Sequence, residues 1–236
     1  MKKIYINPGH SDKDPGAVGH ATERKLNVAV SQYMNEYLLA NYVCETRVYS
    51  NDSLTAVCND ANNWGADLFV SNHFNAGGGD GYEALVYSQK RVELGEIFAK
   101  YVQAAGQNLR LYGAAPGVKI RTDLAVLKNT AMPAILNEGA FVDNLKDIQD
   151  WNDTAELKAL GIAYAKAAAE FLGLEKKAIT PSAPVADKEI TLPQLQVGSR
   201  GDAVKAMQLL LIGWGYSCGS AGADGVFGNG TKTAVD

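Results

Sequence analysis

The chain contains three histidines, and two of them stand where a metal ion could be gripped. A short apolar run from Ile4 is broken by Asn7-Pro8-Gly9, so a buried strand ends and the backbone turns just before the His10 imidazole. The compact apolar run Asp67–Ser71 delivers His73 in the same way. Glu23 opens a long helical pattern after a polar, glycine-containing loop. Two imidazoles and one carboxylate form the ligand set of a catalytic zinc, with a fourth position left for water. Zinc lowers the pKa of such a water to about 7, so hydroxide becomes available at neutral pH. A hydrolase of this kind needs a further carboxylate, free of the metal, to take the proton and return it to the leaving group. Glu138, after the buried run Pro133–Asn137, is the candidate. No HExxH is present; the three ligands are scattered between positions 10 and 73.

Each of these residues also has a plainer reading. A histidine at a strand end can simply be hydrogen-bonded in place, and for His20, in the glycine-rich loop, that reading is kept. Glu23 could be a carboxylate answering the helix macrodipole. Glu138 could be an ordinary strand-end charge. Glu83 either orients a ligand or caps an exposed strand. Arg47 reads as a structural ion-pairing residue, Tyr33, Tyr37 and Trp64 as core, and Lys176-Lys177 as a solvated pair.

The elements that must position these groups follow from hydrophobic period. Strands are expected at 3–7, 43–49, 67–71, 81–88 and 133–137, and helices at 23–41, from Leu54 to Gly65, 92–111 and 156–172. Ser50–Ser53 is a candidate N-cap cluster for the second helix. Strands alternating with helices predict an α/β fold, with a mostly parallel twisted sheet and helices on both faces. Its strand ends would carry the site, as in open sheets of this class. The composition shifts at Glu175, where three prolines enter within 175–193. We therefore expect a catalytic domain over 1–174, a proline-containing linker over 175–193, and a small helical module over 194–236. Asp202 is the candidate N-cap of a helix running from Ala203 to Ile212.

Bulk properties close off other classes. A chain of 236 residues, 47% hydrophobic and 20% charged, can bury a sizeable core without staples. A net charge of −4 with no basic stripe argues against nucleic acid as a partner. Three cysteines and no CxxC do not make a disulfide framework, and Cys44 and Cys58 read as buried thiols. No apolar run reaches membrane-span length, and Met1-Lys-Lys leads directly into a strand pattern with no signal peptide. A monomer is expected.

Taken together, the motifs resemble the zinc-dependent N-acetylmuramoyl-L-alanine amidases of the amidase type-3 family. The family's Pro-Gly-His and Asp-Pro-Gly-Ala appear as Pro8-Gly9-His10 and Asp14-Pro15-Gly16-Ala17. Its metal-binding glutamate with Asn four residues on appears as Glu23 and Asn27. Thr46-Arg47, Asp52, Ala61-Asn62, Ala66-Asp67 and Ser71-Asn72-His73-Phe74-Asn75-Ala76 match in order. Val126-Leu127, Met132-Pro133-Ala134, Glu138, Phe141 and Asn144 complete the series. Asn7 departs from a frequent Asp and Ser11 from a usual Gly.

The resemblance implies one Zn²⁺ per chain held by His10, Glu23 and His73, with Glu138 as general base and then general acid. The implied reaction cleaves the amide between the lactyl group of N-acetylmuramic acid and L-alanine in peptidoglycan. It implies action at the bacterial cell wall, as a phage endolysin or a bacterial autolysin, and a role for Gly77–Tyr112 in choosing the stem peptide. Two rivals remain open: an inactive wall-binding protein, and a zinc peptidase cutting within the stem peptide. The tail resembles a small peptidoglycan-binding module. Its landmarks are Gly198, Gly201, Val204, Met207-Gln208, Asp224-Gly225-Val226-Phe227-Gly228 and Thr231, and its usual further helix is not reached.

Overall fold

The first strand, β1 (Lys2–Pro8), is buried along both faces, which is the mark of an inner strand of a parallel sheet. Its alternation sorts two cores. Ile4 and Ile6 point to one face with Leu68, Val70 and Ile135, while Tyr5 points to the other with Phe69 and Leu136. In the computed structural model, which describes residues 1–178 and 194–236, the chain divides into two compact units, Met1–Ala178 and Ile179–Asp236. The expected linker lies for the most part at 179–193, outside the described residues.

In the first unit the chain continues through α1 (Glu23–Asn41), β2 (Cys44–Val48), α2 (Leu54–Trp64), β3 (Leu68–Asn75) and β4 (Glu83–Val86). It then runs through α3 (Val92–Ala104), β5 (Val118–Ile120), α4 (Ala125–Lys128), β6 (Ala134–Phe141), α5 (Leu145–Ile148) and α6 (Thr154–Leu172). The sheet order is β2-β1-β3-β6-β4-β5. Strands β2, β1, β3 and β6 are mutually parallel, β4 runs antiparallel to β6, and β5 follows β4 in parallel. Helices α1, α3 and α6 cover one face, and α2 with α4 the other. The expected α/β architecture, mostly parallel with helices on both faces, is what is observed.

Local chemistry sets the boundaries. Ser53 accepts a hydrogen bond from the Ala56 N–H and starts α2, and Asp153 does the same for Ala155 and Glu156 at α6. Two expectations shift, and one strand, β5, was not foreseen. The helix expected over 92–111 stops at Ala104, because Gly106 turns in the left-handed region at φ 109°. The next residues lie beside Tyr82 instead: the Tyr82 N–H donates to Asn108 and the Arg110 N–H to Tyr82. β5 is too short to show an apolar period. Finally, Glu138 is not beyond a strand end, since β6 runs on through Gly139–Phe141 and pairs with β3 across a bulge between His73 and Asn75.

The face of the sheet holding His73 and Glu138 meets a buried polar ladder on its opposite side. Asn72 donates to Ser31 of α1, Asn137 donates to Asn72, and the Tyr82 hydroxyl donates to Asn137, at 2.9, 3.0 and 2.6 Å. Satisfied chains of this kind fix strand register beneath the site.

In the second unit, α7 (Asp202–Gly213) and α8 (Asn229–Val235) gather around one buried amide. The Gln208 side chain donates to Asp224, to the Val226 carbonyl and to Thr231, and accepts from the Gly225 N–H. Val204, Phe227 and Ala234 are buried with it. No helix among the described residues is long and apolar enough to cross a membrane.

Candidate functional site

His10 leaves β1 in the left-handed region, with φ 64°, a conformation uncommon for a residue with a side chain. Several contacts impose it. Arg24 of α1 donates to the carbonyls of Pro8 and Gly9 at 3.1 and 3.3 Å, and Asn27 donates to the Gly9 carbonyl at 3.2 Å. The ring of His73 packs where a Gly9 side chain would stand: a Cβ there would lie 2.2 Å from His73 Cε1. Only glycine lets the turn close over the second imidazole.

The two imidazoles meet on one carboxylate. His10 Nε2 lies 3.0 Å from Glu23 Oε2, and His73 Nδ1 lies 2.8 Å from Glu23 Oε1. Glu23 is buried and begins α1, but it does not cap its own helix. It accepts the Ala17 N–H at 2.8 Å and the Phe74 N–H at 3.3 Å. Burial works to raise the Glu23 pKa, but the hydrogen bonds from His10, His73 and Ala17 outweigh it and hold the carboxyl well below its usual range. The hydrogen bond to Glu23 lifts His10 to about 9 against the opposing effect of burial, with Asp14 adding to the rise.

The donor set fits a zinc ion. One ligand atom from each of His10, Glu23 and His73 lies within 4.8 Å of the others. His10 Nδ1, on the far side of the ring, donates to Asp14 Oδ2 at 2.7 Å. An imidazole held by a carboxylate through its other nitrogen is the usual support of a zinc-binding histidine. Asn7 braces the floor, donating to the Tyr49 carbonyl and accepting from Ser71. An aspartate could not make the first of those bonds.

Glu138 stands beside His73 in the β3–β6 register and opposite Glu83 in the antiparallel β4–β6 register. The residue is half-buried, and its Oε2 is sealed from solvent with no hydrogen-bond partner among the described residues. Burial, reinforced by the charges of Glu23 and Glu83, pushes its pKa well above the ordinary carboxylate value. A carboxyl tuned in this way can both take and give a proton. Two lobes flank the paired residues. His10 and His73 line a cleft of about 450 Å³ together with Asn7, Lys13 and Asp52. Glu138 and Glu83 line a neighbouring cleft of about 250 Å³ with Arg110 and Lys119.

All four expected site residues therefore converge at this edge of the sheet. Glu83 does not cap an exposed strand. It is buried, accepts from Asn75 Nδ2 at 3.2 Å, and its Oε1 lies 3.1 Å from Arg110 Nε, close but poorly angled for a hydrogen bond. Arg47 pairs with Asp60 at 2.9 Å and lies over the Trp64 ring, away from the site. His20 is exposed. Sequence reasoning gave no individual role to Asp14, Arg24 or Arg110, although Arg110 falls within the Gly77–Tyr112 segment expected to choose the stem peptide. For Asp14 a signal existed, an acid four residues after the histidine across a tight loop. Arg110 was hidden inside an expected helix.

Comparison with known proteins gives a consistent picture. Residues 4–170 match the family model described as N-acetylmuramoyl-L-alanine amidase. The N-acetylmuramoyl-L-alanine amidase CwlM of Bacillus licheniformis is 32% identical over 189 residues, covering 75% of this chain and 72% of that one. An endolysin of Bacillus phage SPP1 is 32% identical over 190 residues, covering 75% and 68%. The solved catalytic domain of CwlV, an N-acetylmuramoyl-L-alanine amidase from Bacillus (Paenibacillus) polymyxa, superposes with a TM-score of 0.66 at 26% identity. That match covers 74% of this chain and 100% of that one.

Proposed function

We propose, starting from the fact that this chain belongs to the N-acetylmuramoyl-L-alanine amidase family, that it cleaves the amide between the lactyl group of N-acetylmuramic acid and L-alanine in bacterial peptidoglycan. The observation that carries this reading is the convergence of His10, Glu23 and His73 within 4.8 Å, with Glu138 on the adjoining strand. In this reading the three residues hold one Zn²⁺ per chain. Held there, such an ion would supply Lewis acidity toward the scissile carbonyl and would lower the pKa of water to about 7.

The chain's own residues do the rest. Asp14 fixes the His10 tautomer, so that Nε2 is the nitrogen presented to the site. Glu23 is kept ionised by its donors. Glu138 takes the proton of the attacking water and delivers it to the departing alanine nitrogen. Burial suits it to this double duty, because a carboxyl with a raised pKa protonates a leaving amine more readily than an ordinary one does. The tail, residues 194–236, would hold the enzyme, as a monomer, against the wall. Phage endolysins and bacterial autolysins present the same bond to such a site, so the reading covers either origin and places the activity at the cell wall.

The test is mass spectrometry of the products from defined muropeptides, with and without chelator. The expected products are intact N-acetylmuramic acid and a peptide with a free L-alanine amino terminus, and chelator should abolish both. A new amino terminus within the stem peptide would instead establish a peptidase, and an untouched substrate would establish a binding protein. Glu138→Gln should fold and keep its zinc while losing at least about a hundredfold in turnover. Near wild-type turnover would remove Glu138 from the mechanism.

A further inference from the structure

The two cavities, one lined by His73 and the other by its strand neighbour Glu138, assign a direction to the substrate, given the amidase reading on which this inference rests. A group that protonates the leaving amine must lie on the amine's side of the scissile bond. Glu138 lines the smaller lobe and not the larger. The peptide arm therefore enters the smaller lobe, and the sugar with its lactyl group occupies the lobe lined by the two imidazoles.

The smaller lobe is built around a cation. The Arg110 guanidinium is stacked between two rings, 4.5 Å from the centroid of Tyr112 and 4.7 Å from that of Phe141. Gly79 makes room for it, since a Cβ there would lie 2.1 Å from Arg110 Nη1. The shortest contact of Glu83 with the guanidinium is to Nε, at 3.1 Å, and among the described residues no side-chain hydrogen bond is donated by either terminal nitrogen. Lys119 lines the same lobe and has no acid within ion-pair distance among the described residues, whereas Arg121 is taken up by Asp123 at 2.7 and 2.8 Å. A planar fork, held rigid by stacking and open along one edge, matches the two oxygens of a carboxylate.

We propose that Arg110, assisted by Lys119, is a specificity-determining residue that binds a free carboxylate on the peptide arm, the α-carboxylate of the residue after alanine. The reach agrees. Glu83 faces Glu138 across the β4–β6 register, about 5 Å apart at Cβ. Arg110 lies one ion-pair distance further on. Two extended residues, about 3.5 Å each, cover most of such a gap from the scissile nitrogen, and the carboxylate itself covers the rest.

The test uses the full-length, zinc-loaded chain carrying Glu138→Gln to block turnover. Its ligands are two N-acetylmuramoyl tripeptides, L-alanyl-γ-D-glutamyl-L-lysine with the glutamyl α-carboxyl either free or amidated. Calorimetry should find the free acid bound about tenfold tighter. Adding Arg110→Met should bring the ratio close to one while changing carboxamide affinity by less than about threefold. Lys119→Met, at a side chain without an ion pair, should lower the same ratio part of the way and carries the test if Arg110→Met does not fold. Equal affinity for the two tripeptides, or a preference unchanged in both variants, overturns the subsite and leaves the amidase reading standing. If neither tripeptide binds and the wild-type chain cleaves neither, both readings fall together.

Discussion

Asp14 touches no substrate in the proposed reaction, yet it decides which nitrogen His10 offers. Its carboxylate receives the Nδ1 proton at 2.7 Å, which leaves Nε2 facing Glu23. Removing a carboxylate in this position costs zinc-binding sites about 10–100-fold in affinity. For Asp14→Ala we therefore expect zinc affinity, measured by competition with a chromophoric chelator, to fall within that range while stoichiometry at saturation stays near one. Unchanged affinity would show that the Arg24 and Asn27 clamp on the preceding loop orients His10 unaided. The proposed ligands were legible as candidates because the chain has so few histidines and two of them follow buried runs. Their support was less so. Arg24 and Asn27 reach back from α1 to backbone carbonyls at the end of β1, and such contacts exist only once the helix has packed against that strand. Glu83 was readable as a polar residue entering a buried strand, but its pairing with Arg110 required knowing that the helix before Arg110 had already stopped.

That early stop shows what hydrophobic period misses. Leu109 and Leu111 continue the spacing of α3, so the period alone extends the helix to 111. Gly106 turns the chain instead, and residues 107–112 cross to the start of β4. A buried aspartate holds this junction. Asp147 of α5 accepts from the Gly81 and Phe141 N–H groups at 3.0 and 2.8 Å and from Gln107 Nε2 at 2.9 Å. It joins the turn before β4, the end of β6 and the segment that carries Arg110. Asp147→Ala strands three buried donors, so we expect a loss of about 3 kcal/mol in urea unfolding of the catalytic unit. The KM for muropeptides should rise more than kcat falls, because the loosened segment carries Arg110 while His10, Glu23 and His73 rest on β1, α1 and β3. A stability change under about 0.5 kcal/mol would mean the junction is held by packing alone. The parallel strands were readable from their continuous apolar runs, whereas β5 and the reversal of β4 rest on a few residues whose partners lie far along the chain.

At the scale of the whole chain, composition located the change of character at Glu175, six residues before the first of three prolines. The structure puts the edge of the first unit at Ala178. The difference is physical. The Val43 N–H donates to the Glu175 carbonyl and the Lys177 N–H to the Asn41 carbonyl, both at 2.8 Å, and Lys176 bridges to Tyr42. The segment thus closes over the turn from α1 into β2, and no side-chain pattern announces bonds made by backbone alone. Two truncations separate the alternatives. A chain ending at 178 should melt as the catalytic unit does in the full-length protein and cleave soluble muropeptides at the same rate. A chain ending at 174 loses two backbone hydrogen bonds, each contributing about 1 kcal/mol, and should be less stable by about 2 kcal/mol with its zinc site intact. Equal stability of the two would place the end of the folded unit at Leu174. A collapse of activity in both would show that residues 179–236 belong to the catalytic fold, against the division of the chain into two units.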